Sequence, residues 1–224
     1  MNIRNKVKHL LAGNPYLFYP VFKIFGGQHF IKECMLNEES EIVIEGFPRS
    51  ANTFSVVAFR FAQKRKINIA HHLHVESQVI EGVKKGLPVV VLIRNPDEAM
   101  KSLMVREPKM KAEYGFKRYC EFYSSVKKLR SKVVIAEFKE ITNNYSKIIE
   151  NVNAKFNVEY IPYESNRYND ESVYKMIDEI NGKFDDGKET HVARPSIKRK
   201  DVFVDLGDSI YRRKAMELYM ELVE

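Results

Sequence analysis

IVIEGFPRSANTF, residues 42–54, joins an apolar run, a polar turn and the start of a helical repeat. The run at 41–46 is rich in β-branched residues and predicts a buried strand. Apolar residues then recur at i, i+3, i+4 and i+7, which predicts an amphipathic helix through Phe54, Val57, Ala58 and Phe61. A strand followed at once by a helix is half of a βαβ unit, so this stretch predicts a parallel sheet covered by helices.

The rest of the chain repeats this alternation. Further strands are predicted at 66–71, 88–93 and 132–138, and apolar residues at helical spacing predict helices around 116–123, 145–152, 173–180 and 211–222. The segment NGKFDDGKET, residues 181–190, is polar and contains glycine, which predicts a loop. The expected fold class is α/β, a parallel sheet of four to five strands with helices on both faces, in an architecture like that of P-loop nucleotide kinases.

Size and charge narrow the class of protein. With 224 residues, 44% of them apolar, the chain fits one α/β domain at 39–224 preceded by a helical lead-in at 1–38. The formal net charge of +7 favours an anionic partner, which could be nucleic acid, a phosphorylated small molecule, an acidic glycan or a membrane surface. Cys34 and Cys120 are too few for a disulfide framework, so a reducing, cytoplasmic location is expected.

The lead-in begins like a signal peptide, with basic residues before apolar ones. Its uncharged run from Leu10 to Phe22 has 13 residues and is interrupted by Asn14, Pro15 and Pro20, whereas a membrane-spanning helix needs roughly 20 apolar residues. We expect one or two short helices, broken at 14–15 and at 26–27. They would pack on the main domain or, as the alternative, lie on a membrane surface through their lysines and aromatic residues.

The turn PRSANT, residues 48–53, has the composition of an anion site. In an open parallel sheet, ligands bind beyond the carboxyl ends of the strands, and backbone N–H groups at the start of the following helix face them. A nucleoside-triphosphate loop of the form G-x-x-x-x-G-K-[ST] would need glycine at Ala51 and lysine at Asn52, and both are missing. The plain structural alternative is a helix start with Ser50 as its N-cap.

A second anion site is predicted in LPVVVLIRNPDEAMKSL, residues 87–103. The strand ends at Ile93 and places Arg94 at its carboxyl edge. Asn95 is the expected N-cap of the next helix, with Pro96 in its first turn. Arg94 can bind a phosphate through two N–H groups, and Ser102, eight residues on, adds a hydroxyl.

Together the two segments resemble the cytosolic-type sulfotransferases, which use 3′-phosphoadenosine 5′-phosphosulfate (PAPS) and release the bisphosphate PAP. The 5′-phosphosulfate loop of that family, roughly P-[KR]-S-G-T-T-W, is matched by PRSANTF at 48–54. Its 3′-phosphate motif, roughly R-N-P-x-[DE]-x-x-x-S, is matched by RNPDEAMKS at 94–102. VVIAEFKEI, residues 133–141, weakly resembles a further family strand through Glu137 and Phe138. The resemblance covers about 41–156, half of the chain.

Three histidines follow the second strand, in INIAHHLHVE, residues 67–76. A metal site is one interpretation, although no complementary cysteine or histidine cluster accompanies it; purely structural histidines are another. The family carries a catalytic histidine in a T-H-L context at this strand end, and His72-Leu73 fits that context 22 residues before Arg94. Strand alternation would place His72 and His74 on one face and His71 on the other, so His74 is the second candidate.

The resemblance implies roles for these residues in an in-line sulfuryl transfer that needs no metal. His72 would remove the proton of the acceptor hydroxyl, as a base near its reference pKa of ~6.5, and Arg49 would stabilise the bridging oxygen. The 5′-phosphosulfate would lie on the loop of Ser50, Ala51, Asn52 and Thr53, with Phe54 near the adenine. Arg94 and Ser102 would take the 3′-phosphate.

The family usually closes over the 3′-phosphate with R-K-G near its C-terminus, and that tripeptide is absent here. The nearest substitute is ARPSIKRKD, residues 193–201, which offers Arg194, Lys198 and Arg199. A solvated surface is the other interpretation of this basic run. Its place after a polar loop suits a lid that orders when the cofactor binds.

Two other functions stay open at this stage. A nucleotide or small-molecule kinase of the same general fold would require ATP and Mg²⁺. A non-catalytic basic module would bind nucleic acid or an anionic membrane, although no nucleic-acid motif supports it. For a sulfotransferase, the acceptor pocket is expected to be built by residues 1–40, 104–118 and 163–192. The aromatic residues in these segments favour a hydroxyl, or an amine, of a carbohydrate or glycolipid.

Overall fold

A computed structural model describes residues 3–184 and 203–224. In the first range the strands are β1 (Ile42–Gly46), β2 (Ile69–His71), β3 (Val89–Ile93) and β4 (Val134–Glu137). The helices are α1 (Ile3–Leu11), α2 (Pro15–Phe25), α3 (Asn52–Ala62), α4 (Glu76–Lys84), α5 (Pro96–Arg106), α6 (Ala112–Lys127), α7 (Phe138–Asn143), α8 (Tyr145–Phe156), α9 (Arg167–Phe184) and, in the second range, α10 (Ile210–Val223). The four predicted strands are confirmed.

The four strands pair in the order β2-β1-β3-β4, and every pair is parallel. β1 lies between β2 and β3, so the chain runs outward from β1 first on one side and then on the other. The carboxyl ends of β1 and β3 therefore flank the point where the strand order reverses, which is where open α/β sheets bind ligands. The turn at 48–53 and the segment from Arg94 follow these two strands.

Helices cover both faces of the sheet, as the sequence predicts. On one face Val43, Val89 and Val91 pack against residues of α4, α5, α6 and α10. On the other face Ile42, Ile44 and Val90 pack against residues of α3, α8 and α9. The central strands β1 and β3 are buried along their whole length, which explains why they are continuous apolar runs and not alternating ones.

Gly46 marks the closest approach of the two central strands. A Cβ atom at this position would lie 2.4 Å from the carbonyl oxygen of Leu92, its register partner in β3. Any side chain would push β1 and β3 apart at their carboxyl ends. Glycine is therefore required where the strand enters the turn.

The lead-in packs on the main domain. Ser77, in α4, donates hydrogen bonds through its backbone N–H and its hydroxyl to the carbonyl oxygen of Ala12, both at 2.7 Å. Phe18 of α2 is buried in a cluster with Leu73 and Val75, which follow β2. The predicted break at 14–15 is confirmed, since Asn14 caps α2.

Two local predictions are wrong. The start of α3 is not capped by Ser50; its N-cap is Ala51, which has no side chain able to accept a hydrogen bond. The predicted loop at 181–190 begins later than expected, because α9 extends to Phe184. Residues 185–190 of that loop lie outside the described ranges.

Candidate active site

The turn between β1 and α3 has an unusual backbone. Arg49 and Ala51 both adopt left-handed conformations, with φ of 72° and 67°. Alternating conformations of this kind turn successive backbone N–H groups to one side and form an anion-binding concavity. The first N–H groups of α3 have no acceptor within the helix and no side-chain cap, so the turn presents donors at the positive end of the helix dipole.

The polar side chains of the turn divide between interior and surface. Ser50 is fully buried, and its hydroxyl has no hydrogen-bond partner within the described residues. Asn52 is 5% exposed and donates from its side-chain amide to the carbonyl oxygen of Phe47 at 3.0 Å. Asn52 therefore braces the turn from within. Thr53 stays half-buried and contacts His72.

The two predicted anion motifs meet at the strand ends. Arg49 donates from Nε to the hydroxyl of Ser102 at 2.9 Å, and Arg94 donates from Nη1 to the carbonyl oxygen of Arg49 at 3.2 Å. Residues 53 and 45 positions apart in the chain are thus in direct contact. The N-cap prediction for the second motif is confirmed, since Asn95 Oδ1 accepts from the backbone N–H groups of Asp97 and Glu98.

Arg94 is held in a fixed orientation. Its guanidinium carbon lies 4.0 Å from the ring centroid of Phe138, and its Nε donates to Glu98 at 3.2 Å. Burial lowers the pKa of Arg94, partly offset by Glu98. Stacking on an aromatic ring leaves the edge of the guanidinium plane available for an oxyanion. Phe138 directly follows β4, where the sequence shows only a weak likeness to the family.

Two tyrosines of α6 bind the strand ends, and sequence reasoning assigned them only to the core. Tyr123 donates its hydroxyl to the carbonyl oxygen of Leu92 at 2.7 Å and accepts from the N–H of Phe47 at 3.3 Å. Tyr119 donates to the carbonyl oxygen of Arg94 at 2.8 Å. Their helical spacing predicts burial, and a buried phenol needs a hydrogen-bond partner. This requirement was the sequence signal for their contacts with the strand ends.

The histidines form a hydrogen-bonded chain that starts at Arg60. The guanidinium Nη2 of Arg60 lies 3.1 Å from Nε2 of His71, Nδ1 of His71 lies 2.7 Å from Nδ1 of His72, and Nε2 of His72 lies 3.1 Å from the Thr53 hydroxyl. Because a guanidinium only donates, Nε2 of His71 must accept. We therefore assign the protons of the neutral rings to Nδ1 of His71 and Nε2 of His72.

This assignment gives His72 and His74 different chemistry. His72 donates through Nε2 to Thr53, whose own hydroxyl proton can then point to a ligand. His74 lies 2.7 Å through Nδ1 from the carbonyl oxygen of Gly46, which only accepts, so its proton is on Nδ1. Within the described ranges Nε2 of His74 has no hydrogen-bond partner, and the side chain is 23% exposed. Of these three histidines, His74 alone offers an unengaged lone pair.

The positions of the histidines correct the sequence-based geometry. His72 and His74 do not follow strand alternation, because β2 ends at His71 and both residues have left-handed backbones, with φ of 56° and 53°. His71 does not point away, since its ring contacts that of His72 with centroids 4.8 Å apart. Desolvation lowers the pKa of His72 to about 4, with a further contribution from Arg60. The expected value near 6.5 is therefore wrong.

Glu45 supports the histidine turn and was missed from the sequence. Its buried carboxylate accepts from the backbone N–H groups of Leu73 at 2.8 Å and His74 at 3.0 Å, and from the Gln78 amide at 2.9 Å. Burial raises the pKa of Glu45 to about 7 in spite of these donors. A charged residue inside a buried strand was the sequence signal that pointed to it.

The remaining predicted residues have the following places. Phe54 packs among Tyr145, Tyr163 and Tyr174, with ring centroids about 6 Å away. Arg194, Lys198 and Arg199 lie outside the described residues. Residues 3–184 and 203–224 contain no group of three His, Cys, Asp or Glu side chains placed to hold a metal ion. No helix in these ranges has the length and apolar character needed to cross a membrane.

Comparison with solved structures finds four matching chains. The mouse sulfotransferase SULT7A1, solved as a complex with PAP, aligns with a TM-score of 0.48 at 13% sequence identity, over 87% of this chain and 88% of that one. No protein-family model matches the sequence, and no curated protein matches it either.

Proposed function

We propose that this protein is a sulfotransferase that moves a sulfuryl group from PAPS to a hydroxyl of an acceptor. The observation that carries the proposal is the junction of the two anion motifs: Arg94 contacts the backbone of Arg49, and Arg49 contacts Ser102. Two groups of oxyanion donors side by side at the switch point of the sheet suit a nucleoside that carries phosphate at both its 5′ and 3′ positions.

The 5′-phosphosulfate is assigned to the turn after β1. The uncapped N–H groups of α3, the left-handed backbone at Arg49 and Ala51, and the hydroxyl of Thr53 supply its donors. The 3′-phosphate is assigned to Arg94 and Ser102. This division follows the sequence motifs, and the contact between Arg49 and Ser102 means that a ligand here would meet both groups at once.

In the proposed reaction, an oxygen of the acceptor forms a bond to sulfur as the bond between sulfur and the bridging phosphate oxygen breaks. PAP leaves with the electrons of that bond, and Arg49 stabilises the charge that develops on its oxygen. The acceptor proton passes to a histidine. Positioning and charge stabilisation supply most of the catalysis in such in-line transfers.

The hydrogen bonds favour His74 over His72 as the base, the reverse of the preference from the sequence. Nε2 of His72 carries a proton donated to Thr53, whereas Nε2 of His74 has an unengaged lone pair. We therefore assign proton removal to His74 and the orientation of the Thr53 hydroxyl to His72. Desolvation lowers the pKa of both rings, so both are neutral at pH 7 but are weaker bases than a free imidazole. The assignment of proton removal to His74 therefore rests on its unengaged Nε2 lone pair.

The contacts of Asn52 argue against a kinase. In a triphosphate loop this position holds a lysine that reaches the β- and γ-phosphates, but here the side chain is buried and donates to Phe47. Asn52 therefore supplies no cation at this position of the loop. The acceptor is proposed to be a carbohydrate or glycolipid hydroxyl, on the strength of the aromatic residues in the segments predicted to line its pocket.

Titration calorimetry with PAP and with ATP plus Mg²⁺ tests the cofactor. We expect PAP to bind more tightly; tighter binding of ATP with Mg²⁺, or no binding of PAP, would overturn the proposal. Transfer of label from PAPS to a panel of sugars and glycolipids then tests the reaction. His74→Ala should abolish sulfuryl transfer while the affinity for PAP is retained. His72→Ala should retain part of the transfer activity. The opposite result would return the base to His72.

A further inference from the structure

The outer face of α2 is apolar and exposed, which is unusual for a helix at the surface of a domain. Residues at 16, 17, 20, 23 and 24 share one side of the helix by their spacing. All five are exposed, and they are Tyr16, Leu17, Pro20, Lys23 and Ile24. Leu17 is 53% and Ile24 is 74% exposed. The opposite side, with Phe18, packs on the domain.

Other apolar side chains extend this surface into the neighbouring elements. Leu10, near the end of α1, is 82% exposed, and α1 contacts α2. Seven of the fourteen exposed large apolar side chains in the described ranges lie in the lead-in, at Val7, Leu10, Tyr16, Leu17, Ile24, Phe25 and Phe30. Such a concentration marks an interaction surface and not the scattered exposure common to all proteins.

The charge of the same segment identifies the kind of partner. Residues 1–32 contain five lysine or arginine residues and no aspartate or glutamate. Exposed Lys6 and Lys23 flank the apolar side chains. Apolar side chains beside cations, without acidic residues, are the combination that binds the interface of an anionic bilayer.

We propose that α1 and α2 bind the surface of an anionic lipid membrane, with Leu10, Leu17 and Ile24 inserted at the level of the headgroups. A second copy of this chain fits the surface less well, because a two-fold contact would bring together two copies of residues 1–32, which carry cations and no carboxylates. The packing of Phe18 on the domain stays intact, so the helices need not detach in order to bind. This proposal does not depend on the enzymatic activity.

Vesicle co-sedimentation of the full chain tests it, with phosphatidylcholine alone and with phosphatidylserine added. We expect binding that requires phosphatidylserine and weakens as salt is raised. The double variant Leu17→Glu, Ile24→Glu should bind at least about tenfold more weakly, because each residue buries a large apolar side chain. Both positions are exposed, so the fold should tolerate the change. Ile210→Glu, at an apolar position of α10 that is 67% exposed, is the matched control.

Several results would overturn the proposal. These are the absence of binding to phosphatidylserine vesicles, equal binding to vesicles of phosphatidylcholine alone, or equal loss of binding in the Ile210 control. Sedimentation velocity without lipid provides a separate test. If the native protein is a dimer and the double variant is a monomer, the surface binds a second copy of this chain. A circular dichroism spectrum for each variant shows whether the fold is retained.

Discussion

Arg60 donates to Nε2 of His71 across 3.1 Å, and this contact sets the proton positions of both His71 and His72, the second of which contacts Thr53 of the turn at 48–53. A guanidinium has no lone pair, so His71 must place its own proton on Nδ1 and donate it to His72. Nε2 of His72 faces Thr53, and Arg60 thus determines that this nitrogen carries the proton.

Replacing Arg60 with methionine should release this constraint. Nε2 of His71 could then carry the proton, and the proton of His72 could move to Nδ1. We expect the ¹⁵N chemical shifts of His72 to change from those of an Nε2-protonated ring to those of a mixture of tautomers. Arg65→Met, which removes an arginine paired with Glu41 at 2.6 Å, is the control. Unchanged shifts in the Arg60 variant would refute the assignment.

Ala51→Gly should stabilise the protein. Ala51 has φ of 67°, a left-handed conformation that costs a residue with a Cβ atom about 1 kcal/mol relative to glycine. We expect the free energy of unfolding to rise by about 1 kcal/mol in urea titrations. Gly86 is the matched control, because its φ is 70° and a Cβ atom there would meet nothing within 4 Å. Gly86→Ala should lower the stability by a similar amount, and a loss of stability in Ala51→Gly would contradict the argument.

Glu45 makes the stability depend on pH in a direction that can be worked out. Its folded-state pKa, about 7, lies above the ordinary value of 4.5, so the folded protein holds this proton more tightly than the unfolded chain. The contribution of Glu45 to the free energy of unfolding is present below pH 4.5 and is lost as the pH rises to about 7. The slope approaches about 1.4 kcal/mol per pH unit.

Comparison with the variant Glu45→Gln isolates the contribution of Glu45 to the pH dependence of stability. The lowered pKa values of the histidines act in the opposite direction, since they make the free energy of unfolding rise with pH. Urea unfolding of both proteins at pH 5, 6 and 7 measures it. We expect the stability of the native protein, relative to the variant, to fall across this range. A constant difference between the two proteins would show that Glu45 does not titrate there.

Arg94→Gln should weaken PAP binding by about a hundredfold, because it removes a charge-assisted contact to a phosphate held on a fixed guanidinium. Stacking on Phe138 keeps that guanidinium in place before the ligand arrives. Calorimetry measures the affinity. Arg167→Gln, at a side chain that is 93% exposed on α9, controls for the loss of one positive charge. Equal affinities in the native protein and the Arg94 variant would remove this residue from the site.

The sequence predicts the fold and the approximate place of the site because both depend on local patterns. Strand and helix periods fix the elements, and Asn95 followed by Pro96 is a local signal for a helix start. The proximity of the two anion motifs also follows once the parallel sheet is assumed, since Arg49 and Arg94 follow the carboxyl ends of neighbouring strands. The strand bounds differ from the prediction by at most three residues.

The sequence does not predict contacts that depend on the folded chain. Glu45 binds the N–H group of Leu73, 28 positions away, and Tyr123 binds Phe47, 76 positions away. The left-handed backbones of His72 and His74 follow from these contacts, because the carboxylate of Glu45 draws two successive N–H groups to one side. Strand alternation fails there because it describes regular strands, and the regular strand has already ended.

The Tyr123 hydroxyl spans the two central strands by binding the carbonyl oxygen of Leu92 and the N–H of Phe47. One phenol oxygen therefore links the carboxyl ends of β1 and β3 and limits how far they can separate. A bulkier cofactor cannot be accommodated there by spreading the backbone, because spreading would leave a buried hydroxyl and a buried N–H group without hydrogen-bond partners. Changes in ligand preference during evolution would have to come from side chains along the rim, with this span kept constant.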